Sequence, residues 1–161
     1  MSVRTERDTL MGFLEAQRSS VLAILEGLDE QAVHREMVPS GWTPVGMIRH
    51  LAMAERFWFQ EVLTGGTSAT SLAAGPPVPG VTCDSHEALR FYREQAALSD
   101  RQLSAAPLDE PPLGDVPSDL FDEITDVRAL ILHMIEETAR HAGHLDIARE
   151  LIDGRTGLGP R

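Results

Sequence analysis

The sequence predicts an all-α protein folded as a four-helix bundle. Apolar residues recur every three to four positions through four long stretches. No stretch alternates with the two-residue period of a strand, and no internal repeat is present. One short and two long connections, rich in Pro, Gly or small residues, separate the stretches. Helices with one apolar stripe bury it against each other, and four of them make a bundle.

The first helix is expected from about Thr5 to Glu26, with Leu10, Phe13, Leu14, Val21, Leu25 and Leu28 on its buried side and Gly27 as its stop. A short turn over Asp29 to Arg35 follows, until Pro39-Ser40-Gly41 breaks the chain. Thr43 can cap the second long helix, and Pro44 suits its first position. Its stripe is Met47, Leu51, Ala54, Trp58 and Val62, and it ends before Gly65-Gly66. Glu55 and Arg56 are expected on its solvated face. Aromatic packing accounts for Trp42, Phe57, Trp58 and Phe59.

Residues 67–83 read as a long connection. Asp84-Ser85-His86-Glu87 has the pattern of a capping box and opens the third helix. Its stripe of Leu89, Tyr92, Ala96, Ser99 and Leu103 is the weakest, and small Ala96 and Ser99 suit packing against a second subunit. Residues 105–124, with four prolines, form the second long connection. The fourth helix runs from near Thr125 to Ile152 and closes at Asp153-Gly154. A 20-residue connection reaches up to ~66 Å, whereas a 20-residue helix spans ~30 Å. The second and third long helices can therefore run parallel, and periodicity leaves this and simple alternation both open.

The 161 residues are expected to form a single domain. A formal charge of -11 speaks against nucleic acid and anionic membrane surfaces as partners. No apolar run approaches the ~18 residues of a spanning helix. The charged start, Met1 to Asp8, lacks the apolar core of a secretory signal, so a cytoplasmic location is expected. Cys83 is alone, which excludes an intrachain disulfide and a cysteine-based zinc site. All 14 basic side chains are arginine, so Schiff-base chemistry through lysine is excluded as well. There is no phosphate-binding Gly-rich loop and no serine elbow before a helix.

The fourth helix carries two polar residues inside its apolar stripe. Leu130, Met134, Glu137, His141, Leu145, Ala148 and Ile152 follow one face. Burying a carboxylate and an imidazole without partners costs several kcal/mol, so Glu137 and His141 need strong partners or a metal ion. His50, between Met47 and Ala54 on the second long helix, is a third such intruder. Two imidazoles and a carboxylate suit a divalent transition metal with an open position. A buried hydrogen-bonded network of the same residues is the alternative. His144 lies about 60° around the helix from His141 and His133 about 80° the other way, so they flank the site. His144 is a candidate outer partner or alternative ligand, and His34 and His86 fall in connecting or capping positions where exposure is expected.

Gly41-Trp42-Thr43-Pro44, Arg49-His50-Leu51, the run Glu136 to His144, and Asp153-Gly154-Arg155-Thr156-Gly157 together resemble the DinB-like superfamily of metal-binding four-helix bundles. The resemblance implies an up-down-down-up topology, frequent homodimers, and His50, Glu137 and His141 as metal ligands. Three histidines are the commonest ligand set there. The Glu137 variant is similar to the mycothiol-dependent maleylpyruvate isomerase type, which holds zinc. The isomerase has a further C-terminal domain that contributes to its active site, whereas this sequence ends at Arg161, so that reaction is not expected. Better-known members activate a low-molecular-weight thiol at the metal and lower its effective pKa. The resemblance thus implies a divalent ion, zinc first and nickel second, with mycothiol or bacillithiol as thiol and an electrophile as second substrate. By proximity in the sequence, Arg140, Arg49 or His144 is expected to steer an anionic cofactor or stabilise developing charge. The competing function is a non-catalytic metal-binding stress or structural protein.

Overall fold

The computed structural model describes residues 4–66 and 83–157, whose regular structure is all helical, with no strand among them. The elements are α1 (Glu6–Leu25), α2 (Glu30–Val33), α3 (Pro44–Arg56), a π-helical continuation over Phe57–Val62, α4 (Ser85–Ala105) and α5 (Val127–Asp153). Nearly all of the expected connection 67–83 lies outside the described residues. No helix among those described is long and apolar enough to cross a membrane.

Local chemistry sets the helix ends. Thr43 accepts the Gly46 N–H at 3.1 Å and Pro44 occupies the first turn, as the sequence predicts. Asp84 accepts the Glu87 N–H at 2.9 Å. A reciprocal box forms at α1, where Thr5 and Asp8 exchange side-chain bonds to each other's backbone N–H. Asp126 caps α5, which therefore starts two residues beyond the expected Thr125. At its other end Gly154 adopts φ 77° and returns its N–H to the Glu150 carbonyl, a left-handed stop that favours glycine.

The end-to-end contacts fix the topology. Arg128 pairs with Glu6 near the start of α5 and α1, and Arg149 donates to the carbonyls of Ile24 and Glu26 at 2.6 and 2.8 Å near their ends. Helices α1 and α5 are therefore parallel. Arg7 near the start of α1 bonds the Leu103 carbonyl near the end of α4, so α4 runs the opposite way. Trp58 stacks on His133 while His50 meets His141, which makes α3 antiparallel to α5. The bundle is up-down-down-up in α1, α3, α4 and α5.

The core is split into two apolar halves. One contains Val21, Ile24, Val45, Ile48, Leu51, Tyr92 and Leu145. The other contains Leu14, Ala54, Trp58, Phe59, Leu103, Leu130 and Met134. At the level between them every long helix contributes buried polar groups: Arg18, His50, Glu55, Gln95, Ser99, Thr138 and His141. Arg18 forks onto Glu55 through bonds of 2.7 and 2.8 Å and reaches Asp100 at 2.7 Å. Burial pulls the Arg18 pKa down, but the bonds to Glu55 and Asp100 outweigh it and hold the guanidinium charged.

This belt corrects several expectations. Glu55 is not on a solvated face; it is 1 % exposed and is the partner of a buried arginine. Arg56 beside it is half-buried. Ser99 is fully buried within the chain and donates to the Gln95 carbonyl, so it is not available to a subunit interface. Phe13, assigned to the buried side of α1, is 59 % exposed. Arg18 and Arg149 take interior places that an apolar pattern does not reveal, because their stems are long enough to carry charge to a partner.

The end of α3 widens into the π turn, where the Leu63 N–H bonds the Trp58 carbonyl at 2.9 Å. The freed end receives the connection after α4: Leu113 and Gly114 donate to the carbonyls of Leu63 and Val62 at 3.1 and 2.8 Å. A Cβ on Gly114 would meet the Glu61 carbonyl at 2.5 Å, so the close approach requires glycine. The same connection bonds the start of α5, through Val127 N–H to Glu110 and Arg128 N–H to Leu108, both at 3.0 Å.

Candidate metal centre

The capped start of α3 places His50 on the side facing α5, and the i, i+4 spacing on α5 stacks Glu137 under His141. The structure brings all three predicted residues together. His50 Nε2 lies 3.1 Å from Glu137 Oε1 and 3.2 Å from His141 Nε2, and His141 Nε2 lies 3.0 Å from the same Oε1. The three atoms form a nearly equilateral triangle. Bonds of ~2.1 Å at tetrahedral angles would separate ligand atoms by about 3.4 Å, so the triangle is close to one face of such a site. Among the described residues these three form a cluster able to hold a metal ion.

The donor set itself favours a cation. An imidazole offers one N–H and one lone pair when neutral, and an ionised carboxylate only accepts. Two Nε2 atoms converge on one carboxylate oxygen and on each other, so protons on both would face one another at 3.2 Å. An ion accepts all three lone pairs at once. The histidines are buried, whereas 19 % of the Glu137 side chain is exposed, which leaves solvent access on the Glu137 side. Hydrogen bonds from His141 and then His50 hold the Glu137 carboxyl well below the usual carboxylate range, against the opposing effect of burial.

The flanking residues fall as the helix geometry requires. His144 is on the rim, exposed, with its Nδ1 3.3 Å from His141 Nδ1 and its ring 6.3 Å from that of Trp42. Burial lowers the His144 pKa, assisted by the charges of His141 and Arg140. His133 stacks edge-on against Trp58 with centroids 4.5 Å apart, and burial depresses its pKa too. His86 is exposed; His34 is half-buried, bridging the carbonyls of Glu30 and Cys83 at 2.7 and 2.9 Å. Arg140 pairs with Glu136 at 2.6 Å, and Arg49 is exposed.

Sequence reasoning missed the place of Trp42 beside His144. The available signal was its position directly before the Thr43 cap, at the end of α3 that carries His50 toward α5. A cavity of about 600 Å³ lies elsewhere, lined by Leu22, Val45, Ile48, Ala88, Leu89 and Arg93 among others, and none of the three clustered residues reaches it.

No curated protein and no solved structure matches the chain significantly. The family model described as Mycothiol-S-transferase matches residues 9–154, a span that contains all four long helices almost entire and the whole cluster. The match bears out the DinB-like resemblance at the level of a family and does not extend to the maleylpyruvate isomerase. The chain belongs to the mycothiol S-transferase family.

Proposed function

We propose that this protein is a divalent-metal-dependent S-transferase that joins a low-molecular-weight thiol to an electrophile, as a detoxification enzyme does. The observation that carries the proposal is the convergence of His50, Glu137 and His141 on one point with solvent access, in a chain of this family. Mycothiol is the first candidate thiol, supported by the family match and by glutamate in the middle ligand position; bacillithiol is second.

In this reading His50 Nε2, His141 Nε2 and Glu137 Oε1 hold the ion, zinc before nickel. A bound divalent ion acts as a Lewis acid and lowers the pKa of a thiol that reaches it. The chain supplies the rest. Glu137 would contribute a negative charge that partly neutralises the ion, and a set of three protein ligands would leave a position for an added ligand. Met47 and Leu51 beside His50 in α3, and Leu145 one turn after His141 in α5, are each about 1 % exposed and belong to one apolar half of the core. The thiol loses its S–H proton to solvent, its sulfur forms a bond to the electrophilic carbon, and the leaving group departs with its electron pair. A homodimer in the cytoplasm is the proposed setting.

The reading as a non-catalytic metal-binding stress or structural protein rests on the weak stripe of α4, where small Ala96 and Ser99 suit packing against a second subunit; Ser99 is buried inside the chain and Ala96 is half-buried. The decisive assay follows thiol consumption with a generic haloaromatic electrophile, for zinc-loaded and chelator-stripped protein. Consumption of mycothiol that requires the metal is the expected result. No metal-dependent consumption with mycothiol or bacillithiol would refute the proposal.

A further inference from the structure

We propose that His144 is a positioning residue for the metal centre: it accepts the Nδ1–H of His141 and so fixes the tautomer that leaves His141 Nε2 bare toward Glu137 and His50. The inference rests on the ligand set given under Proposed function and adds a residue to it. Three residues separate His141 from His144 on α5, so their rings overhang the same turn, with centroids 5.4 Å apart. Their Nδ1 atoms approach to 3.3 Å.

Two neutral nitrogens at that distance share one proton, and it has two places. If His144 holds it, His141 carries its own proton on Nε2 and donates to Glu137 Oε1, 3.0 Å away. That arrangement closes the triangle as a hydrogen-bonded network. If His141 holds it, Nε2 is bare and the triangle is a ligand set. Imidazole ligands generally donate their second nitrogen to an acceptor, and that partner fixes ring orientation and tautomer. His144 Nδ1 is the nitrogen in position to accept. His144 then bears its proton on Nε2.

The ring that does this is itself held. Trp42 packs against His144 at a tilt of 42°. The Trp42 carbonyl accepts the Met37 N–H at 3.1 Å, closing the turn that leads into the Thr43 cap of α3. The element that starts the His50 helix therefore also positions the partner of His141. His144 is exposed and belongs to neither apolar half of the core, so replacing it leaves the core packing intact.

The test is zinc affinity of the full chain, measured at one fixed pH by competition with a chromogenic chelator. The variants are His144→Ala, His144→Asn and His144→Gln. Asparagine places an amide oxygen where Nδ1 sits, whereas glutamine extends past it. His144→Ala is expected to weaken zinc binding by roughly 10- to 100-fold. His144→Asn should recover most of that loss and His144→Gln should not, with the metal-free melting temperature unchanged in all three. A second readout is long-range ¹H–¹⁵N NMR of the zinc-loaded wild type, which should show the His141 proton on Nδ1. Equal zinc affinity in wild type and His144→Ala, or equal losses in the alanine and asparagine variants, would overturn the positioning role alone. A wild-type protein that takes up no zinc would overturn the ligand set, and this inference with it.

Discussion

Removing the carboxylate of Glu55 should destabilise the protein far more than the solvated helix face expected from the sequence suggests. The Arg18 and Glu55 side chains are 2 % and 1 % exposed and are joined by two parallel bonds of 2.7 and 2.8 Å. In Glu55→Ala the guanidinium keeps Asp100, a side chain that is 46 % exposed, and the more distant Glu15 at 3.8 Å, which is 63 % exposed. Breaking a buried pair from one side costs about 3–5 kcal/mol, because the remaining charge stays out of water. For a domain of this size each kcal/mol moves the melting temperature by about 2–4 °C, so a fall of roughly 6–20 °C is expected. Replacing both partners, as Arg18→Met with Glu55→Leu, removes the stranded charge and should return most of the lost stability. Urea unfolding of the wild type, both single variants and the double variant closes the cycle. A loss below about 1 kcal/mol in Glu55→Ala, the value of an exposed pair, would refute the reasoning.

Two further outcomes follow from the same geometry. Thr43→Ala removes a buried cap from α3 and should cost about 1 kcal/mol in urea unfolding, with Thr43→Ser recovering most of it. Glu137 gives metal-free protein a pH signature. Its folded pKa is depressed by His141 and His50, so its stabilisation is present above the ordinary carboxylate value of ~4.3 and is lost as pH falls from there toward the folded value. The stability difference between wild type and Glu137→Gln should therefore shrink across that acid window; a difference that stays constant to pH 3 would contradict it.

The fold was legible because each long helix advertises itself twice, by an apolar stripe and by its ends. Thr43-Pro44, Asp84 and Gly154 all act as their types imply. The candidate site was legible for the opposite reason. Glu137, His141 and His50 violate their stripes, and polar groups are placed there only when something converges on them. The Arg18–Glu55 pair was not legible, because a charged residue on a helix is by default on its solvated side and its partner lies 37 positions away. The same holds for Arg149, whose bonds to the carbonyls of Ile24 and Glu26 answer the open end of α1, a need invisible from α5 alone. Phe13 shows the converse error: an apolar residue at stripe spacing that the bundle leaves outside.

The central claim is that His50, Glu137 and His141 hold one functional ion. Elemental analysis of the purified protein, beside His50→Ala and Glu137→Ala variants that still fold, tests it most directly. The account predicts about one zinc or nickel per wild-type chain, held by the three-ligand cluster found among the described residues, and loss of tight binding in both variants. Wild-type protein that stays metal-free after incubation with Zn²⁺ and Ni²⁺, or variants that retain the full metal content, would contradict it.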